Sequence, residues 1–357
     1  MPHPDGLLTE EEIEQRSVAL AKQLRGESPE MRAYRRYGEG FKKRLAKTWS
    51  EPLRLYEVIL KATFDAGAVF SEEHWAQARQ ENDFRFETLA SLYSQACLVA
   101  GEVLELLKGG YARGAHARCR TLHELAVFAQ IIGEHPEVAE RFLLHEAVED
   151  ARSMDTYQAK LAGRPGYEPY SKEDVDAGHA RRDAALARFG DSFKDYYGWA
   201  VPLFPAKVHL TFEKLEDLAG LGHLRPWYDW ATHLGVHASS RGVRLNLLTR
   251  GDVSAPLAGP TNIGLSDPGE EALISLLQVT TSLLVDARPI TGDPRRAVVL
   301  KALLTLTNEA GEAFVAAEQR LAEKEAEVQT EVKRAPGGAL ARLLGRVSPW
   351  WHLRNPR

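Results

Sequence analysis

A chain of 357 residues and 39.7 kDa, 44% hydrophobic and 27% charged, has enough interior for two domains or one large helical body and the surface of an ordinary soluble protein. Its net charge of -5 excludes a generally basic nucleic-acid binder, though not a local basic patch. Two cysteines, Cys97 and Cys119, exclude a disulfide framework and a cysteine-rich zinc site, and no apolar run reaches the roughly 18–20 residues of a membrane span. The chain opens on an acidic stretch with no charged-then-apolar leader, and a cytoplasmic protein is the expectation.

In chain order, Thr9 followed by Glu10, Glu11 and Glu12 reads as a helix start, because carboxylates suit the positive end of the helix. Over 84–108, Phe86, Leu89, Tyr93, Cys97, Ala100, Val103, Leu104 and Leu107 recur at spacings of three and four, which predicts a long helix with a wide apolar stripe. Gly109 and Gly110 end it. A second helix runs from Ala112 to Ile132, stops at Gly133 and Pro136, and folds back as an antiparallel hairpin. Ser171 caps a further helix, Arg225-Pro226 opens a short one through Trp230, and Asp267-Pro268 and Asp293-Pro294 read as N-caps with proline in the first turn. The best strand candidate is Val243–Leu248. Residues 162–170 and 250–269 are rich in Gly and Pro and read as loops, the second either a mobile lid or an irregular connection packed on the bundle.

From Asp293 a helix is expected to continue to about Lys333. Residues 309–331 carry seven acids, whereas 334–357 carry five arginines and no acid. In that tail Leu340, Leu343, Leu344 and Val347 form an apolar stripe beside Trp350 and Trp351. It reads as a helix that docks on the acidic helix of its own or a sister chain, or as a weak membrane-surface or partner-binding element.

Three groups of residues carry possible chemistry. Arg120 and Glu124 share a helix face, four residues apart, beside the small residues Ala115, Cys119, Ala126 and Ala129. Asp229, His233 and His237 follow at i, i+4 and i+8; two histidines at that spacing can share a metal ion, although the zincin glutamate after the first histidine is replaced by Leu234. No cofactor is expected, with a divalent metal at these three residues, completed by Glu124 or His123, as the exception. Arg118 and His123 match the arginine-x4-histidine spacing of helical ribonucleases of the HEPN type, in which histidine handles a proton and arginine steadies a phosphate. With four to six intervening residues allowed, the chain holds a second match, Arg346/His352, and two matches are no more than chance supplies. A five-residue step also turns about 140° around a helix. Cys119 beside His116 and His123 reads either as a nucleophile or as a buried structural thiol. Phosphate-loop, dinucleotide-binding and nucleophile-elbow motifs do not occur.

Gly110, Ala117, Arg120 and Glu124 after a long helix, followed later by Tyr228, His237 and Ser239, resemble a bacterial family catalogued as domain of unknown function 5677, over roughly residues 50–245. Where that family has a serine four residues before the histidine, this chain has His233. The resemblance implies an all-helical fold and no established activity.

The sequence therefore predicts an all-α protein. An N-terminal helical arm covers 1–49, a bundle 50–245, a Gly/Pro-rich loop and helix 246–292, a long charged helix 293–334, and a basic tail 335–357. Arg120, Glu124 and His237 are expected to meet at a buried polar node, since a buried guanidinium needs a carboxylate and further lone pairs; His123 joins them as a catalytic candidate. Two functions stay open. One is a nucleic-acid-directed effector of the defence or toxin type. The other is a non-enzymatic interaction or oligomerisation module, with a homo-oligomer expected and RNA or protein as partner.

Overall fold

Apolar stripes at helical spacing have to be covered, and in the computed structural model helices cover them almost throughout. The structure describes residues 8–244, 247–250, 253–256, 258–290 and 293–334. Among them lie α1 (Glu10–Leu24), α2 (Pro29–Thr48), α3 (Ser50–Glu81), α4 (Phe84–Gly109), α5 (Ala112–Glu134), α6 (Ala139–Leu144), α7 (Glu146–Lys160), α8 (Lys172–Phe189), α9 (Phe212–Leu218), α10 (Arg225–Ala231), α11 (Ser240–Arg244), α12 (Ser266–Thr281) and α13 (Pro294–Arg334). Single π turns continue α10 over Thr232–Val236 and α12 over Ser282–Asp286. The fold is all-α, with one small exception. Two short strands, β1 (Leu247–Arg250) and β2 (Val253–Pro256), pair with each other.

The caps follow the expected chemistry. Thr9 and Glu12 form a reciprocal capping box, Ser171 accepts from the Asp174 N–H at 3.1 Å, and Gly110 ends α4 with φ at 77°. Asp293 accepts from the Arg295 N–H at 3.1 Å at the start of α13. α12 begins earlier than Asp267-Pro268 suggested, at Ser266, so Pro268 sits inside its first turn. Val243 belongs to α11 and not to a strand; the strand begins at Leu247. The stretch 250–269 is not one long loop, since it contains β2 and the start of α12. The tail from 335, with Leu340, Leu343, Leu344, Val347, Trp350, Trp351 and the Arg346/His352 match, lies outside the described residues.

The chain divides into two compact units. Among the described residues, one lies within 49–248 and 255–319, the other within 8–48, 249–254 and 320–334. In the larger unit α5 lies at the centre, packed on α4 and α12, and α4 packs in turn on α3 and α12. Leu89, Val99, Val103, Leu107, Leu122, Ile131, Leu273 and Leu276 are completely or almost completely buried there, each contributing about 1.5–3 kcal/mol. From α13, Phe314 reaches the Trp49 ring at 6.1 Å, while the Trp49 indole N–H donates to the Asn262 side chain at 2.8 Å. In the smaller unit α1 buries none of its side chains, whereas α2 buries Leu45.

The π turn after α10 seats against the first turns of α5. The position a Cβ would take on Gly235 lies 2.5 Å from the Arg113 carbonyl and 2.9 Å from the Ala117 N–H nitrogen, so only glycine fits. Arg113 reaches across to the Gly242 carbonyl. Gly235→Ala should therefore lift this segment from α5. The expected result is faster amide exchange over 232–244 and a loss of about 1–3 kcal/mol in urea unfolding. Unchanged exchange there would show that the contact is dispensable.

Candidate functional site

α5 is a central helix that carries His116, Cys119, Arg120, His123 and Glu124, groups that a dry environment tolerates only when partnered. The neighbouring helices supply the partners. Arg120 donates to the Tyr228 hydroxyl at 2.5 Å, and that hydroxyl donates to the Glu124 carboxylate at 2.9 Å. Arg120 and Glu124 also pair directly at 3.4 Å. The guanidinium lies 4.6 Å from the centre of the Tyr228 ring, and that of Arg225 lies 5.0 Å from it. Phe212 stacks on the same ring at 4.7 Å. Burial, then the nearby Glu124 charge, push the Tyr228 hydroxyl well above its ordinary range, so it stays a protonated donor. Burial also pushes Tyr197, close to Arg120 and Glu124, up to about 12.

Deeper in, the wholly buried Glu216 accepts from both sides. His123 Nε2 lies 2.8 Å from its Oε1 and Arg225 lies 2.6 Å from its Oε2. This ties α5, α9 and α10 together. On the opposite side His116 faces Glu271 of α12 at 3.4 Å, both nearly inaccessible. Cys119 is also sealed in. Its thiol donates to the Pro268 carbonyl at 3.1 Å, and burial holds its pKa well above normal, which fits an inert structural thiol. Cys119, Arg120, His123, Tyr228, Glu271 and Ser275 surround a cavity of about 10 Å³, close to the space one water molecule needs.

The node thus forms with a different third member and at a different depth. Tyr228 takes the place expected for His237, and Arg120 and Glu124 keep 25% and 33% of their side-chain surface. His237 is exposed. The π turn ends the helix before it, and its backbone is extended at φ -102° and ψ 138°. The i, i+4, i+8 face of Asp229, His233 and His237 is broken for the same reason. Asp229 is exposed and pairs with Arg225 at 3.2 Å, and His233 is exposed. Among the described residues no three His, Cys, Asp or Glu side chains converge as metal ligands. Arg118 and His123 point apart, Arg118 to Glu102 at 2.5 Å and His123 to Glu216. Trp199 is buried against Phe128 and Phe142 at 5.4 and 5.1 Å, whereas Tyr196 is exposed. Ser239 caps α11 by accepting from the Gly242 N–H at 2.9 Å.

One feature escaped the whole-chain charge count. α2 has seven cations, Arg32, Arg35, Arg36, Lys42, Lys43, Arg44 and Lys47, against Glu30 and Glu39. At 3.6 residues per turn Arg32, Arg36, Lys43 and Lys47 fall within about 60° of arc, along about 22 Å. Arg35 pairs with Glu27. Among the described residues no carboxylate lies within ion-pair distance of Arg36, Lys42, Lys43, Arg44 or Lys47, all exposed. A window of local charge over residues 29–48 was the signal that reveals it.

Residues 86–253, just under half of the chain, match a family described as one of unknown function, DUF5677. Gly110, Ala117, Arg120, Glu124, Tyr228, His237 and Ser239 all lie inside that span. No curated protein and no solved structure matches the chain.

Three substitutions separate packing from exposure. Glu216→Ala leaves His123 and Arg225 facing a buried void and should cost about 3–5 kcal/mol in urea unfolding. Tyr228→Phe should cost about 1–3 kcal/mol, and His237→Ala no more than about 0.5 kcal/mol. Burial raises the Glu271 pKa, opposed by its bond to His116. A raised carboxyl contributes stability that is complete below the ordinary glutamate range and lost as pH rises through its folded value. Glu271→Gln should therefore flatten the fall in stability above that range, read as unfolding midpoints across the acid-to-neutral interval.

Proposed function

We propose that this chain is a nucleic-acid-binding protein that contacts phosphates through α2, and that the polar network on α5 holds helices together. The observation that carries this is the row of unpaired cations on α2, aligned on one face. Such a row meets a polyanion without needing the whole protein to be basic. A lipid surface suits it less. Membrane-lying helices insert a broad apolar side, and α2 lacks one: Leu45 is buried at 1% exposure, and the large apolar groups left exposed are Tyr34 and Tyr37. Two free thiols suit a reducing cytosol.

A cleaving effector would need a proton-handling histidine beside a bound phosphate. His123 is 6% exposed and turned onto Glu216, Arg118 points elsewhere, and the cavity between α5, α10 and α12 has no room for a nucleotide. These placements favour binding over cleavage. No helix among the described residues is long and apolar enough to cross a membrane.

Fluorescence anisotropy with a labelled single-stranded RNA tests the reading. Binding should weaken steeply with salt. The triple variant Arg36→Glu, Lys43→Glu, Lys47→Glu should bind at least about tenfold more weakly and lower the salt slope by about two, with its unfolding midpoint unchanged. Equal affinity in variant and parent rejects the proposal, and so does binding confined to phosphatidylserine vesicles. RNA fragments from the parent protein that vanish in His123→Ala would restore the nuclease reading.

A further inference from the structure

The larger unit bears an apolar groove between α3 and α4 that the site does not use. It encloses about 1180 Å³, and its walls include Leu60, Phe64, Trp75, Ala90, Cys97 and Leu98. Phe64 is 60% exposed and Leu98 64%, unusual for large apolar side chains next to each other on a helical pair. Elsewhere these helices are well packed. Tyr56 donates to the Ala100 carbonyl at 2.9 Å and Tyr93 donates to that of Thr63. The groove is therefore a feature of a firm surface.

We propose that this groove is a self-association surface, covered by the same groove of a second copy related by a two-fold axis, with the two α4 helices antiparallel. The argument is the complementarity of α4 with its own reverse. An antiparallel helix pair centred between Cys97 and Leu98 places residues together whose numbers sum to 195. Cys97 then meets Leu98 of the second copy, Ser94 meets Gly101, and Glu87 meets Lys108. Small faces large where bulk projects, small faces small where the helices cross closely, and acid faces base at both ends.

α3 falls into the same register. A Cβ on Gly101 would touch Leu60 and one on Gly67 would meet Tyr93, so Phe64, midway, lies beside Cys97 and hence beside the axis. The four most exposed apolar groups near the axis, Phe64 and Leu98 of each copy, thus bury one another. Lys108 already has Glu57 at 2.8 Å and Glu105 at 3.0 Å, which hold its ammonium at the groove's rim. An isologous contact of this kind closes on itself and ends at a dimer.

The full chain at tens of micromolar, examined by light scattering after size exclusion, should have dimer mass. Leu98→Glu should give monomer with an unchanged unfolding midpoint. Glu87→Lys should weaken the dimer at least about tenfold through like charges, and Glu87→Lys combined with Lys108→Glu should restore it. Cys97 is the cysteine that is not fully buried, so a short bis-maleimide should join the parent chains and fail with Cys97→Ser. A monomer at that concentration, or a dimer indifferent to Leu98→Glu, overturns the proposal. A dimer that Leu98→Glu dissociates but whose affinity ignores both charge variants overturns the antiparallel register.

Discussion

The architecture of the larger unit depends on a single constraint: polar groups carried by a central helix must find partners inside the protein. α5 brings two histidines, a thiol and an Arg–Glu pair into helix-to-helix contact. Each is answered from a different element, His116 by Glu271 of α12, His123 by Glu216 of α9, and Arg120 and Glu124 by Tyr228 of α10. Apolar packing alone would let these helices slide, because the hydrophobic effect has no direction. The bonded pairs fix where along α5 each neighbour sits.

Glu216 is the most demanding member. A carboxylate with no exposed surface is tolerable here because imidazole and guanidinium meet its two oxygens. Tyr228 makes a different compromise. Its ring serves as a platform for two guanidinium groups while its hydroxyl joins the Arg–Glu pair, so one residue of a short helix replaces several contacts. Short helices such as α10, with seven residues, have little stability of their own and depend on anchors of this sort.

Much of the fold was legible in the sequence because it is written in short-range chemistry. The stripe on α4, the glycine stop at Gly110 and the caps at Thr9 and Ser171 depend on neighbours within a turn or two. Arg120 and Glu124 were legible as a pair for the same reason. Their third partner was not, because Tyr228 lies more than a hundred residues away and the choice between it and His237 turns on a π turn that no local pattern announces. Glu216 and Glu271 were also hidden, since a buried carboxylate looks like a surface one until the histidine opposite is known. The basic row on α2 was overlooked for a simpler reason: a chain-wide sum cancels local charge.

The π turn at Thr232–Val236 holds one more residue than an α turn needs. It therefore stores an insertion inside a helix. Removing any one of its five residues would let the ordinary ladder resume and narrow that turn. Gly235 would then no longer be held against Arg113 and Ala117. Length at this point is thus as tightly specified as chemistry. Apart from Gly235, where a side chain would strike the α5 backbone, substitutions between residues 232 and 236 have latitude that a one-residue deletion does not.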